Sequence, residues 1–98
     1  MENKRWRVVA EWTAKTGEHI RLEADILEGC WRICVLSPEG FGSSYPPAYT
    51  PFEAVVQAVS WLTSAGDEYV RLASEIYAGY LQVILELFLP EPKEVEEQ

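Results

Sequence analysis

Basic residues are scarce in this chain. Eight Lys and Arg stand against 16 Asp and Glu, a formal net charge of −8. Phosphate-backbone binding relies on Lys and Arg to displace counterions, so this balance argues against direct contact with nucleic acid. Histidine occurs once, as His19, and cysteine twice, as Cys30 and Cys34. No second cysteine pair and no second histidine exist to complete a zinc site, so no metal is expected. Four residues along a strand span about 13 Å, and a disulfide needs Cα atoms within about 7 Å, so the two thiols cannot join each other. Long apolar runs are missing as well. Gln82 and Glu86 interrupt the best stretch before it reaches the roughly 18 residues of a membrane span. The start, Met1 to Arg5, leads into an alternating strand rather than an apolar run, so no signal peptide is expected. With free cysteines and no export signal, the expected location is cytoplasmic. Gly40-Phe41-Gly42 lacks the lysine of a phosphate loop, and no cofactor is expected.

What is present fits one folded domain. The chain has 98 residues, 48% hydrophobic and 24% charged, which suffices for one core and argues against wholesale disorder. Residues 6–13 alternate: Trp6, Val8, Ala10 and Trp12 share one face, with Arg7, Val9, Glu11 and Thr13 on the other. After the turn residues 14–18, Ile20, Leu22, Ala24 and Ile26 repeat the code. Pairing Trp12 with Ile20 keeps both apolar sets on one side, and sets Glu11 opposite Arg21 and Arg7 opposite Asp25. Glu28-Gly29 reads as a two-residue loop into Cys30–Leu36, which places Leu27 opposite Cys30 and Asp25 opposite Arg32. Residues 37–49 hold prolines, glycines and three aromatics, and read as one long irregular loop.

Thr50-Pro51-Phe52-Glu53 then opens a helix, with Thr50 as cap, Pro51 at the first helical position and Glu53 in a capping box. Phe52, Val55, Val56, Val59 and Leu62 fall at helical spacing, and the apolar arc is wide enough to be covered on two sides. Gly66 stops this helix and Asp67 caps the next. Glu68, Arg71, Glu75, Gly79, Gln82 and Glu86 lie 3.6 residues apart on average, one polar stripe along a helix ending before Pro90. The rival reading makes residues 80–89 a fourth strand, because Leu81, Val83, Leu85, Leu87 and Leu89 alternate. The expected fold is therefore α+β, a three-stranded antiparallel meander followed by two helices on one face, with residues 1–89 as the domain. Residues 90–98 carry four glutamates and one lysine and read as an acidic, disordered tail.

No catalytic constellation is legible. His19 as a general base would need an orienting partner and a nucleophile close by, so no enzyme is expected. The second helix instead carries more apolar surface than a three-stranded sheet can cover, and such an excess marks an interface. The residues expected to meet a partner are Tyr69, Tyr77, Tyr80, Leu81, Ile84 and Phe88 on that helix. Phe41, Tyr45 and Tyr49 in the loop either cap the core or add to the binding surface. The leading expectation is a non-catalytic interaction domain that forms a homo-oligomer. The alternative is a small acidic inhibitor, of the phage anti-defence, immunity or antitoxin type, that blocks a basic nucleic-acid-binding surface on a partner protein.

Overall fold

The computed structural model describes residues 5–88, and the alternation read in the first two strands pairs as expected at their turn. Strands β1 (Trp6–Thr13) and β2 (His19–Asp25) are antiparallel, with Trp12 opposite Ile20 and Glu11 opposite Arg21. The register then shifts between Val8 and Ala10, where Val9 is an extra residue. This bulge moves Trp6 opposite Asp25 and Val8 opposite Glu23. A one-residue insertion reverses every side chain beyond it. Trp6 and Val8, expected inside, therefore stand on the outer face, and Arg7 faces Ala24 rather than Asp25.

Strand β3 (Cys30–Leu36) pairs with β2 so that Asp25 meets Cys30, Glu23 meets Arg32 and Leu22 meets Ile33. The connection is thus four residues long rather than two. Asp25 closes it: its Oδ1 accepts the Leu27 and Glu28 N–H groups at 3.0 and 3.2 Å, and Gly29 takes a φ of +71°. Those bonds favour the longer turn and leave Ile26 and Leu27 exposed. The shift from the expected register is two residues, an even number, so the same β2 and β3 side chains still point inward.

A short fourth strand, β4 (Gly42–Ser44), adds to β3, and Ala48 bridges to Trp31 beyond it. The segment expected to be irregular thus borders the sheet. Backbone groups of Trp31 and Ile33 would otherwise lack partners, and Ala48 and Tyr45 supply them. The sheet order is β1-β2-β3-β4.

Helix α1 (Pro51–Ala65) starts as read, with the Glu53 N–H donating to Thr50 Oγ1 at 3.1 Å. After Gly66 a 3-10 turn, Asp67–Tyr69, leads into α2 (Val70–Phe88). Residues 80–88 are therefore helical, which overturns the fourth-strand alternative for that segment. The expected tail lies outside the described residues.

The core lies between the inner sheet face and the helical hairpin. Ile20, Leu22, Ile33 and Val35 from the sheet meet Ala54, Val55, Ala58 and Leu62 of α1 and Leu72, Ala73, Ile76 and Tyr80 of α2. Helix α1 packs on β3, whereas α2 runs antiparallel to β1 beneath it. Three observations fix that second path. The Lys15 N–H donates to Glu75 Oε1 at 3.1 Å, the Trp12 indole lies on Gly79, and Val83 and Leu87 line one groove with Val9 and Ala10. Gly79 looked like a weak point in a polar stripe. It is a packing position, because a Cβ there would lie 2.1 Å from Trp12 Nε1.

Candidate interaction surface

Helix geometry places an apolar strip on the side of the hairpin turned away from the sheet. On α2, Val70, Tyr77, Leu81 and Leu85 recur at steps of seven, four and four, and all are exposed. On α1, Phe52 and Val56 sit one turn apart and are also exposed. The Phe52 and Tyr80 rings lie 6.3 Å apart, which fixes the two strips beside each other. Because the helices are antiparallel, one turn up α1 to Val56 matches one turn back on α2 to Tyr77. Tyr77, Leu81, Leu85, Phe52 and Val56 each keep between 42% and 48% of their surface in water. Each side chain is thus half spent on packing the hairpin and half available.

The residues expected at an interface divide accordingly. Tyr77 and Leu81 lie in the strip, and Tyr69 is exposed at the 3-10 turn. Tyr80 is buried and Ile84 half-buried, both turned to the core, so they do not belong to the outward face. Burial raises the pKa of the Tyr80 phenol. The side chain of Phe88 lies outside the described residues. In the loop, Tyr45 packs against the core, and burial raises its phenol pKa, helped by neighbouring Tyr69. Phe41 and Tyr49 are about three-quarters exposed. Phe52, Val56, Val70 and Leu85 were not anticipated. The wide arc of α1 suggested cover on two sides, and the signal that pointed outward was the i, i+4 pair Phe52 and Val56, set off from the buried Ala54, Val55 and Ala58.

The outer face of the sheet is polar. Arg32 donates to Glu23 Oε1 at 2.8 Å and stacks 4.0 Å above the Trp6 ring. Cys34 Sγ donates to the same carboxylate oxygen at 3.1 Å. Burial, reinforced by the Glu23 carboxylate, pushes the Cys34 thiol up to about 11, so it is a poor nucleophile at neutral pH. Both cysteines are free thiols. Asp25 is fully buried. Burial pushes its carboxyl pKa up, but the Arg5 hydrogen bond, the Glu28 N–H, the Arg5 charge and the Leu27 N–H together outweigh it, and the net shift is downward.

His19 does find polar neighbours. Its Nδ1 lies 3.4 Å from Thr13 Oγ1 and its Nε2 2.7 Å from Glu11 Oε1. The order hydroxyl, imidazole, carboxylate is that of a nucleophile relay. The surroundings differ from one. Side chains of His19 and Glu11 are 37% and 51% exposed on an open sheet, and Glu11 Oε1 is shared with Arg21 Nε at 3.8 Å. The geometry is that of a cross-strand polar ladder, since Glu11 faces Arg21 and Thr13 faces His19 in the register. Among the described residues no group of three His, Cys, Asp or Glu side chains is arranged to hold a metal ion. No helix among them is long and apolar enough to cross a membrane.

Comparison with protein-family models, with curated proteins and with solved structures finds no match for this chain. What the molecule offers a partner must be read from its own surfaces.

Proposed function

We infer that this chain is a non-catalytic protein–protein interaction domain that self-associates through the outward face of its helical hairpin. The observation that carries the reading is the strip of Phe52, Val56, Tyr77, Leu81 and Leu85, half-exposed apolar side chains on two rigid, adjacent helices. Contiguous exposed apolar surface of this kind marks interaction sites. A two-fold axis would set the strip against itself, the commonest arrangement for a homo-oligomer.

The magnitude sets the character of the dimer. Burying the remaining half of such a side chain contributes about 1 kcal/mol. Five from each copy supply about 10 kcal/mol, of the same order as the about 4–15 kcal/mol lost in rotational and translational freedom. The association is therefore reversible and concentration-dependent. Light scattering of the full chain over a wide concentration range tests this. The mass should rise from 11.2 kDa towards twice that value. A constant mass of 11.2 kDa at high concentration would rule the reading out.

A further inference from the structure

A second surface lies on the flank of the molecule where the sheet ends at β4. Trp6 and Arg32 from the outer sheet face, Ser43 and Ser44 of β4, Tyr45 after it and Trp61 of α1 line a hollow of about 540 Å³. Pro46 and Pro47 complete its wall. Trp61 also lines a smaller hollow of about 270 Å³ on α1, with Gln57, Ser60 and Ser64. Its indole, 58% exposed, therefore borders both. No residue of the outward helical strip lines either one.

The side chains of the larger hollow narrow what can fill it. Its polar side-chain groups are the indole N–H groups of Trp6 and Trp61, the Arg32 guanidinium and the hydroxyls of Ser43, Ser44 and Tyr45. Indoles and guanidinium groups only donate, and no carboxylate or carboxamide lines the space. The Arg32 charge is already met by Glu23 at 2.8 Å, and its guanidinium lies over the Trp6 ring. An anion therefore finds no free cation here. The complement of such a wall is a neutral, apolar ligand, rich in acceptors and poor in donors. Proline has that character, because its ring packs on aromatic faces and its nitrogen carries no N–H. A sugar would bring many donors to a wall with few acceptors. A single-stranded nucleic acid would meet a chain of net charge −8.

The backbone separates two ways of binding a peptide. Strand β4 is an edge of the sheet and only three residues long, Gly42–Ser44. The next N–H, that of Tyr45, is spent on the Ile33 carbonyl at 3.0 Å, and Pro46 and Pro47 have none. An ordinary strand added to this edge would run out of donors after Ser44. A polyproline II segment makes no ladder and leaves its carbonyls free to accept from side chains. It repeats every three residues, about 9 Å, so two hollows that share one indole can receive successive turns.

We propose that this flank binds a proline-rich segment of a partner protein in the polyproline II form, with prolines packed on Trp61 and Trp6 and their carbonyls accepting from the wall. The site is separate from the helical strip, and the proposal does not rest on self-association.

Titration of the full chain with decaproline, followed through the indole N–H signals in nitrogen–proton correlation spectra, tests it. The Trp6 and Trp61 signals should shift and saturate, whereas that of Trp12, seated on Gly79, should stay in place. A Gly-Ser peptide of the same length should move none of them. Trp61→Ala should weaken decaproline at least about tenfold, as loss of an anchoring aromatic does. An unmoved Trp12 signal in the variant shows that the fold is kept, and the shifts in the unsubstituted chain test the site without any substitution. Absence of decaproline binding, equal binding of the Gly-Ser peptide, undiminished binding by Trp61→Ala, or binding of oligouridylate in place of decaproline would overturn the proposal.

Discussion

Replacing Gly79 by alanine sets two effects of opposite sign against each other. In an ordinary helix interior the change stabilises by about 1 kcal/mol, because alanine is the better helix former. Here the new Cβ would stand 2.1, 2.4 and 2.5 Å from three atoms of the Trp12 indole. Carbon contacts are comfortable at about 3.5–4.0 Å, so ring and helix must part by more than 1 Å. The ring has little room to yield, since Trp12 is held opposite Ile20, one of the most buried side chains. Overpacking of this kind costs about 1–3 kcal/mol. Contact with three ring atoms places the cost in the upper part of that range, so Gly79→Ala should destabilise by about 1–2 kcal/mol net. Urea unfolding would read this as a midpoint lowered by about 1 M at unchanged slope. The decisive control is the same change in a Trp12→Ala background. With the indole gone the Cβ enters open space, and Gly79→Ala should become stabilising by about 1 kcal/mol. Stabilisation in the wild-type background, or no reversal of sign between backgrounds, would refute the packing of α2 under β1.

Other consequences follow from single side chains. Asp25 has a depressed folded pKa, so its contribution is present above the ordinary carboxyl value of 3.8 and is lost as pH falls through the lower folded value. Asp25→Asn should therefore lower stability at neutral pH and flatten its dependence on acid below about 4, as measured by urea midpoints across that range. Cys34, with its thiol pushed up to about 11, should react with iodoacetamide at pH 8 about a hundredfold more slowly in the native protein than in urea. Equal rates would show that burial and the Glu23 contact do not hold it. Thr50→Ala removes the side-chain acceptor of the Glu53 N–H and should cost about 1 kcal/mol, recovered in Thr50→Ser.

The sequence carried its information unevenly, for physical reasons. The Trp12–Ile20 register was legible because period-two alternation and a cross-strand charge pair agreed. The helix start at Thr50 was legible because a cap is a local motif. The Val9 bulge was not, since no glycine or proline marks it and the alternation of residues 6–13 reads straight through. Its consequence was large: Trp6 and Val8 change faces, Trp6 stacks on Arg32, and Val9 and Ala10 line a groove. The turn after Asp25 was misread because its length is set by a side-chain carboxylate bonding two backbone N–H groups, against a glycine that suggested a shorter loop. Strand β4 has no apolar pattern of its own and exists because the edge of β3 needs partners. On the outward strip of the helices, the expectation that Tyr77 and Leu81 face away from the core matches their exposure. Helical periodicity could not place Tyr80 and Ile84, because which part of a wide apolar arc faces the core depends on how α1 and α2 meet.

Self-association through the helical strip is tested most directly by sedimentation equilibrium on two single variants of the full chain. Leu81→Glu puts a charge into the strip, and Leu27→Glu puts one on a turn residue that is more exposed still, 81% against 42%. Both positions lie outside the core, so both variants should fold. The unsubstituted chain and Leu27→Glu should approach twice 11.2 kDa at high concentration, and Leu81→Glu should remain at 11.2 kDa. A Leu81→Glu chain that still dimerises, or an unsubstituted chain that never does, would contradict the assignment of that face.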